Sequence, residues 1–153
     1  WLNTGDIGYR VGESIMITGR SKDLIIINGR NIWPQDLEQL AEQQPDVRPG
    51  DALAFAVPGP DGADVAVMVV QYRDRDSDKR AGLIRHLQGL ILAEVGVDCH
   101  IELAPLHTLP RTSSGKLSRS KARQNYIDAH PLKRVDVHHS REATAALSQK
   151  QAG

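Results

Sequence analysis

Cysteine, aromatic residues, charge imbalance and long apolar runs are all scarce in this chain. Its one cysteine, Cys99, cannot close an internal disulfide, so a reducing cytoplasm is the expected setting. One Phe, two Trp and three Tyr are too few to interleave with basic residues as a stacking platform for nucleic acid. Basic and acidic residues balance at 19 each, which removes any global electrostatic reason to bind nucleic acid or an anionic membrane. The longest apolar runs are strand-sized, so neither a signal peptide nor a membrane insertion is expected. His86, His100 and His107 lack metal-ligand spacing, the Cys99-His100 pair alone is not a metal site, and no Ser-His-Asp order is interpretable. No metal is expected, and there is no internal repeat.

What remains is a chain of 153 residues, long enough for one domain with a real core. Ile7–Arg10 and Ser14–Thr18 read as a hairpin around Val11-Gly12-Glu13. Ala52–Val57 and Val65–Tyr72 read as two strands joined by Pro58-Gly59-Pro60-Asp61-Gly62, a turn-rich link that favours an antiparallel pair. The charged stretch 73–79 reads as an exposed loop. From Lys79 to about Val95, Ile84, Leu87, Ile91 and Val95 fall on one helical stripe. Cys99–Leu103 reads as a short strand, residues 104–116 as a loop, and 117–128 as a last helix that places Leu117, Ala122 and Tyr126 together. Beyond Pro131 the chain turns polar and irregular, as a disordered tail or linker would.

The most informative stretch is GRSKDLIIINGRNIWPQDLE, residues 19–38. A charged turn leads into Leu24–Ile27, which reads as a buried strand. Asn28-Gly29 supplies positive φ for a tight turn. Pro34 then opens a helix over about 34–44, with Asp36 and Glu38 in its first turn, where the helix dipole favours negative charge. On pattern alone this is an ordinary strand-turn-helix of an α+β domain.

The same stretch resembles the hinge segment of the adenylate-forming acyl ligases, the superfamily of acyl-CoA synthetases, fatty acyl-AMP ligases and peptide-synthetase adenylation domains. TGDIGYR (4–10) is similar to that family's ribose-binding segment, and LPRTSSGKLSRSKAR (109–123) to its catalytic-lysine loop, in the family's order. The likeness covers about residues 1–127. It implies a C-terminal fragment, in keeping with a chain that opens on Trp1 inside a motif. Residues 1–20 would end the large N-terminal domain and approach the hinge, 21–130 would form the mobile C-terminal domain, and 131–153 a tail. The expected fold is α+β: a small three-stranded, mostly antiparallel sheet with packed helices, preceded by the hairpin. NIWPQDLE looks more like fatty acyl-AMP ligases, which commonly read NHYPQDIE, although Ile32 and Trp33 replace the usual His and Tyr.

Each candidate residue has two readings. Asp6 is either a turn aspartate or, as the resemblance implies, an acceptor for the vicinal hydroxyls of a ribose. Arg20 is either a surface arginine or a fork for nucleotide oxygens. Lys22 matches the family's hinge residue, where a torsion change swings the small domain. Asp23 could pair locally with either base. Gly29 is a plain turn glycine or, as in the family, faces the tunnel for a pantetheine thiol, where a missing Cβ admits a slender arm. Lys116 lies in a Ser/Gly loop with Arg111, Arg119, Lys121 and Arg123 nearby, so it belongs either to a solvated basic loop or to the family's catalytic site. There its ammonium would stabilise the transition state as a carboxylate attacks the α-phosphate of ATP. Pro110 and Leu117 exclude a Walker A loop.

The resemblance implies ATP with Mg, held mainly by the absent N-terminal domain, and phosphopantetheine or CoA as acceptor. Implied partners are that N-terminal domain, an acyl carrier protein or CoA, and a fatty acid. The alternative is a stand-alone binding module that keeps the fold without the chemistry.

Overall fold

The computed structural model describes the backbone of residues 6–11 and 13–130, and the side chains of residue 13 and of residues 22–130. The expected tail, 131–153, lies outside the described residues.

The chain begins with a hairpin of β1 (Asp6–Val11) and β2 (Ser14–Arg20), paired antiparallel as its own two-stranded sheet. A single 3-10 turn, Ser21–Asp23, separates it from a second hairpin of β3 (Ile25–Ile27) and β4 (Arg30–Ile32). Asn28 and Gly29 form its two-residue turn with φ of 51° and 74°, positive at both central positions as the twist of a tight hairpin demands. The Leu24–Ile27 run is not buried throughout, however. Ile25 is fully enclosed while Ile26 is 53% exposed, because a strand in a two-stranded hairpin alternates its side chains and only one face meets the core.

Helix α1 (Pro34–Glu42) starts with proline at its first position and buries Pro34, Leu37 and Ala41. The main sheet follows: β5 (Ala52–Pro58), β6 (Asp64–Gln71) and, after helix α2 (Ser77–Glu94), β7 (Cys99–Ala104), in spatial order β5-β6-β7. The first pair is antiparallel, as the turn between them requires, and the second is parallel. The sheet is therefore mixed. Helix α2 returns the chain to the start of β6, and a strand that follows such a crossover runs alongside its neighbour. Asp76 caps α2, accepting from the amides of Asp78 and Lys79 at 3.0 Å, a bond of about 1 kcal/mol.

Both faces of the sheet are covered, which is why ALAFAV and VAVMVV are apolar without interruption. Ala52, Ala54, Ala66, Met68, Val70, Cys99 and Ile101 face a core shared with Ile25, Ile32, α1 and the Leu87–Ile91 stripe of α2. Leu53, Phe55, Val57, Val67 and Val69 face the other way, onto Leu109, Leu117 and helix α3 (Arg119–Ala129), which contributes Ala122 and Tyr126. Tyr126 packs edge-on against Phe55 with ring centroids 5.8 Å apart.

Candidate functional site

The segment carrying Lys116 is a small pinned loop. Leu109 buries itself in the second core and Leu117 packs at its margin. Between them Arg111 and Leu117 form an antiparallel bridge. The Thr112 amide donates to the Lys116 carbonyl at 2.7 Å, and the Ser118 amide to the Pro110 carbonyl at 2.9 Å. Gly115 turns the chain with φ of 83°, and its carbonyl accepts from the Arg111 guanidinium at 2.8 Å. Residues 111–116 are exposed. Among the described residues nothing pairs with the Lys116 ammonium, so the loop presents a free cation on a cross-linked support.

Of the basic residues around it, Arg111 and Lys121 are exposed, whereas Arg119 and Arg123 are drawn into the fold. Arg119 turns inward and donates to the Ala54 carbonyl at 2.6 Å and to the carboxylate of Glu38. Arg123 Nε donates to the Ala56 carbonyl at 2.7 Å. Glu38 in turn accepts from the Ala54 amide at 2.8 Å. These three side chains cap the open edge of β5, whose unpaired backbone groups would otherwise invite another strand. Glu38 is therefore not a first-turn dipole charge but a mostly buried anchor beneath α3. The carboxylate of Asp23 faces Arg119 Nε at 4.0 Å, near enough for attraction and too far for a hydrogen bond. That nitrogen is buried and has no hydrogen-bond partner among the described residues. Lys22, exposed in its 3-10 turn, borders the same cavity of about 470 Å³ as Asp23, Arg119 and Arg123.

Gly29 lies elsewhere. Its hairpin rests through Ile25 and Ile32 on the first core, whereas the Lys116 segment rests on the second. The two segments thus attach to opposite faces of one sheet. A Cβ at Gly29 would meet nothing within 4 Å, so within the described residues only its positive φ demands glycine. Asp6 and Arg20 stand directly opposite each other in the β1–β2 register, which brings the two nucleotide candidates together along the backbone.

Other reactive groups are disposed of by their surroundings. Burial pushes the Cys99 thiol up to about 12, which leaves it without thiolate near neutral pH. His100 is half-buried and titrates below the usual histidine range, chiefly through desolvation, with His130 adding to the effect and Glu102 opposing it. Among the described residues no group of three or more His, Cys, Asp or Glu is placed to hold a metal ion. Among them, too, no helix is long and apolar enough to cross a membrane.

Sequence reading missed Glu38 and Arg119 as partners, and passed over Gln71. Each carried a faint signal: Glu38 follows the inward-facing Leu37, Arg119 opens a helix, and Gln71 ends the apolar run 65–70.

No family model matches the chain. Over 128 residues it is 52% identical to a Caulobacter vibrioides protein named as an acyl-CoA synthetase, an alignment covering 83% of this chain and 22% of that protein. It is 33% identical over 150 residues to the long-chain-fatty-acid–AMP ligase FadD32 of Mycolicibacterium smegmatis, covering 84% of this chain and 24% of the ligase. Among solved structures, one from a study of fatty acyl-adenylate ligases of E. coli and L. pneumophila superposes with a TM-score of 0.76 at 46% identity, over 86% of this chain and 23% of that one. The chain spans less than a quarter of the length of each of these proteins. Its relatives and structural neighbours are ligase enzymes, namely acyl-CoA synthetases, fatty acyl-AMP ligases and adenylation domains, and it has the fold of their C-terminal domain.

Proposed function

We propose that this chain, homologous to the C-terminal part of the adenylate-forming ligases, completes an ATP-dependent enzyme that activates a fatty acid as acyl-AMP and passes it to a pantetheine thiol. Residues 1–20 would end the N-terminal adenylation domain and 21–130 would be the part that moves. The observation that carries this reading is the placement of Lys116 and Gly29 on segments attached to opposite faces of the sheet. One cleft can meet only one face at a time. A domain that rotates about Lys22 would offer them in turn.

In the first step an oxygen of the fatty carboxylate attacks the α-phosphorus of ATP, and pyrophosphate departs. Negative charge gathers on both reactants, and the Lys116 ammonium would offset it from its cross-linked loop. Asp6 would accept hydrogen bonds from the ribose hydroxyls, with Arg20 alongside on the paired strand. ATP and Mg would be held mainly by the N-terminal domain. In the second step the thiol sulfur attacks the acyl carbonyl and AMP departs, with the backbone at Gly29 beside the incoming arm. An acyl carrier protein is favoured as acceptor on the strength of NIWPQDLE. A relative in Moorena producens, 33% identical over 135 residues, is named a medium-chain-fatty-acid–[acyl-carrier-protein] ligase.

The whole ligase, given Mg·ATP and a fatty acid, should release pyrophosphate and accumulate acyl-AMP. Added carrier protein bearing its pantetheine arm should discharge the acyl group, and CoA should do so poorly. Efficient acyl-CoA formation would overturn the choice of acceptor alone. Absence of pyrophosphate release, together with micromolar binding of ATP by this chain on its own, would replace the ligase with a stand-alone nucleotide-binding module.

A further inference from the structure

We infer that Gln71 is a positioning residue for Lys116, holding the Lys116 segment from beneath; this rests on the ligase reading above. Gln71 closes β6 and is only 4% exposed, directly after the apolar run 65–70 of that strand. Its side-chain carbonyl accepts from two consecutive backbone amides, Thr108 at 2.9 Å and Leu109 at 3.0 Å. Its side-chain amide donates to Asp51 Oδ1 at 2.7 Å, and its backbone amide to the Asp51 carbonyl at 2.7 Å. Burying a primary amide with these groups unmade would carry the full desolvation penalty of each. An apolar side chain would fill the same space without that liability. What the amide adds is direction: two adjacent N–H groups on one oxygen fix both the place and the orientation of the peptide that enters the loop.

The connection to Lys116 is short. Leu109 is followed by Pro110, whose carbonyl closes the loop on Ser118, and by Arg111, which bridges Leu117 beside Lys116. The preceding turn is also held against its own preference. His107 has φ of 65°, a left-handed conformation disfavoured for a residue with a side chain. The Thr108 hydroxyl, donating to the Pro105 carbonyl at 2.7 Å, and Gln71 on the Thr108 amide secure it from both sides. Gln71 touches neither Lys116 nor a substrate, so it acts through the segment. A displacement of about 1 Å at a charge-stabilising group can lower a rate by roughly a hundredfold.

The test compares Gln71→Leu, Gln71→Glu and the double variant Gln71→Glu/Asp51→Asn. Gln71→Glu keeps the acceptor for Thr108 and Leu109 but sets a second carboxylate against Asp51. Adding Asp51→Asn restores that link with the donor and acceptor exchanged. Hydrogen exchange on this chain should show Gln71→Leu losing protection at Thr108 and Leu109 while α2 stays protected. In the whole ligase, Gln71→Leu should lower acyl-AMP formation ten- to a hundredfold, in the range of a misplaced group. Thioester formation from supplied acyl-AMP should be unchanged. The double variant should recover most of what Gln71→Glu loses, and this pair decides the matter if Gln71→Leu does not fold. Equal loss in both half-reactions, normal adenylation despite lost protection, or no recovery in the double variant would overturn the proposal. A wild-type ligase that forms no acyl-AMP would overturn the ligase reading and this proposal with it. A wild-type enzyme that works beside an unimpaired Gln71→Leu would overturn this proposal alone.

Discussion

Arg119, the first residue of α3, donates to the carboxylate of Glu38 in α1, and the backbone of Ala54 is bonded to both. Their side chains are 16% and 13% exposed, so this pair is screened far less than a surface salt bridge. It joins the helix after the Lys116 loop to the helix after the β3–β4 hairpin, across the open edge of β5. Its arginine also faces Asp23, the last residue of the 3-10 turn that holds Lys22.

Glu38→Ala should destabilise the chain by about 3 kcal/mol, because it leaves the guanidinium uncompensated in a mostly buried place and orphans the Ala54 amide. Glu38→Gln should cost clearly less, since an amide oxygen can still accept from both donors. Urea denaturation of the three proteins checks this order. Equal midpoints for Glu38→Ala and the wild type would make the pair a surface ornament.

Stability should also depend on pH through His100. Its folded-state value lies below the usual 6.5, with burial as the main cause. The unfolded chain therefore binds the proton more readily than the folded one. The contribution is fully present above about pH 6.5 and is lost as pH falls from there through the lower folded value. His100→Gln should flatten the stability curve across that window. An unchanged slope would shift the cause to another group.

Most of the elements could be read from local pattern, because local chemistry decides them. Asn28-Gly29 forces its turn, Pro34 starts α1, and the Leu87–Ile91 stripe makes one side of α2 the core side. The parallel pairing of β7 depends on where α2 returns the chain, which no strand pattern states. Ile26 looked buried because four apolar residues run together, yet a two-stranded hairpin has one inner face. Glu38 and Arg119 looked solvated because charges usually are, and their partnership spans 81 positions. Gln71 was hidden by its apolar neighbours. Its importance comes from two amides 37 and 38 residues downstream.

The hinge carries a kinetic prediction. Lys22 is the middle residue of the turn Ser21–Asp23, and Lys22→Pro would fix its φ near −65°. In the whole ligase this should slow thioester formation more than adenylation, because the proposed exchange of sheet faces would need that torsion to change. Separate measurement of the two half-reactions tests it. If both keep normal rates, the rotation occurs elsewhere.

Lys116→Ala should lower acyl-AMP formation in the whole ligase by roughly two to three orders of magnitude, the range seen when a preorganised charge-stabilising group is lost. The fold should survive. Lys116 is exposed, and its contribution to the loop is a backbone carbonyl bonded to the Thr112 amide, which alanine keeps. Thioester formation from supplied acyl-AMP should be nearly unaffected, because in the proposed rotation the face carrying Lys116 would by then have turned away and the face carrying Gly29 would have replaced it. Lys116→Arg should recover little: a broad planar fork cannot stand in for a compact ammonium. The asymmetry between half-reactions separates the readings of this residue. A lysine that merely solvates a loop would change neither step, and one that supports the fold would damage both alike. Equal losses in the two steps would end the case for Lys116 as the cation that acts on the phosphate.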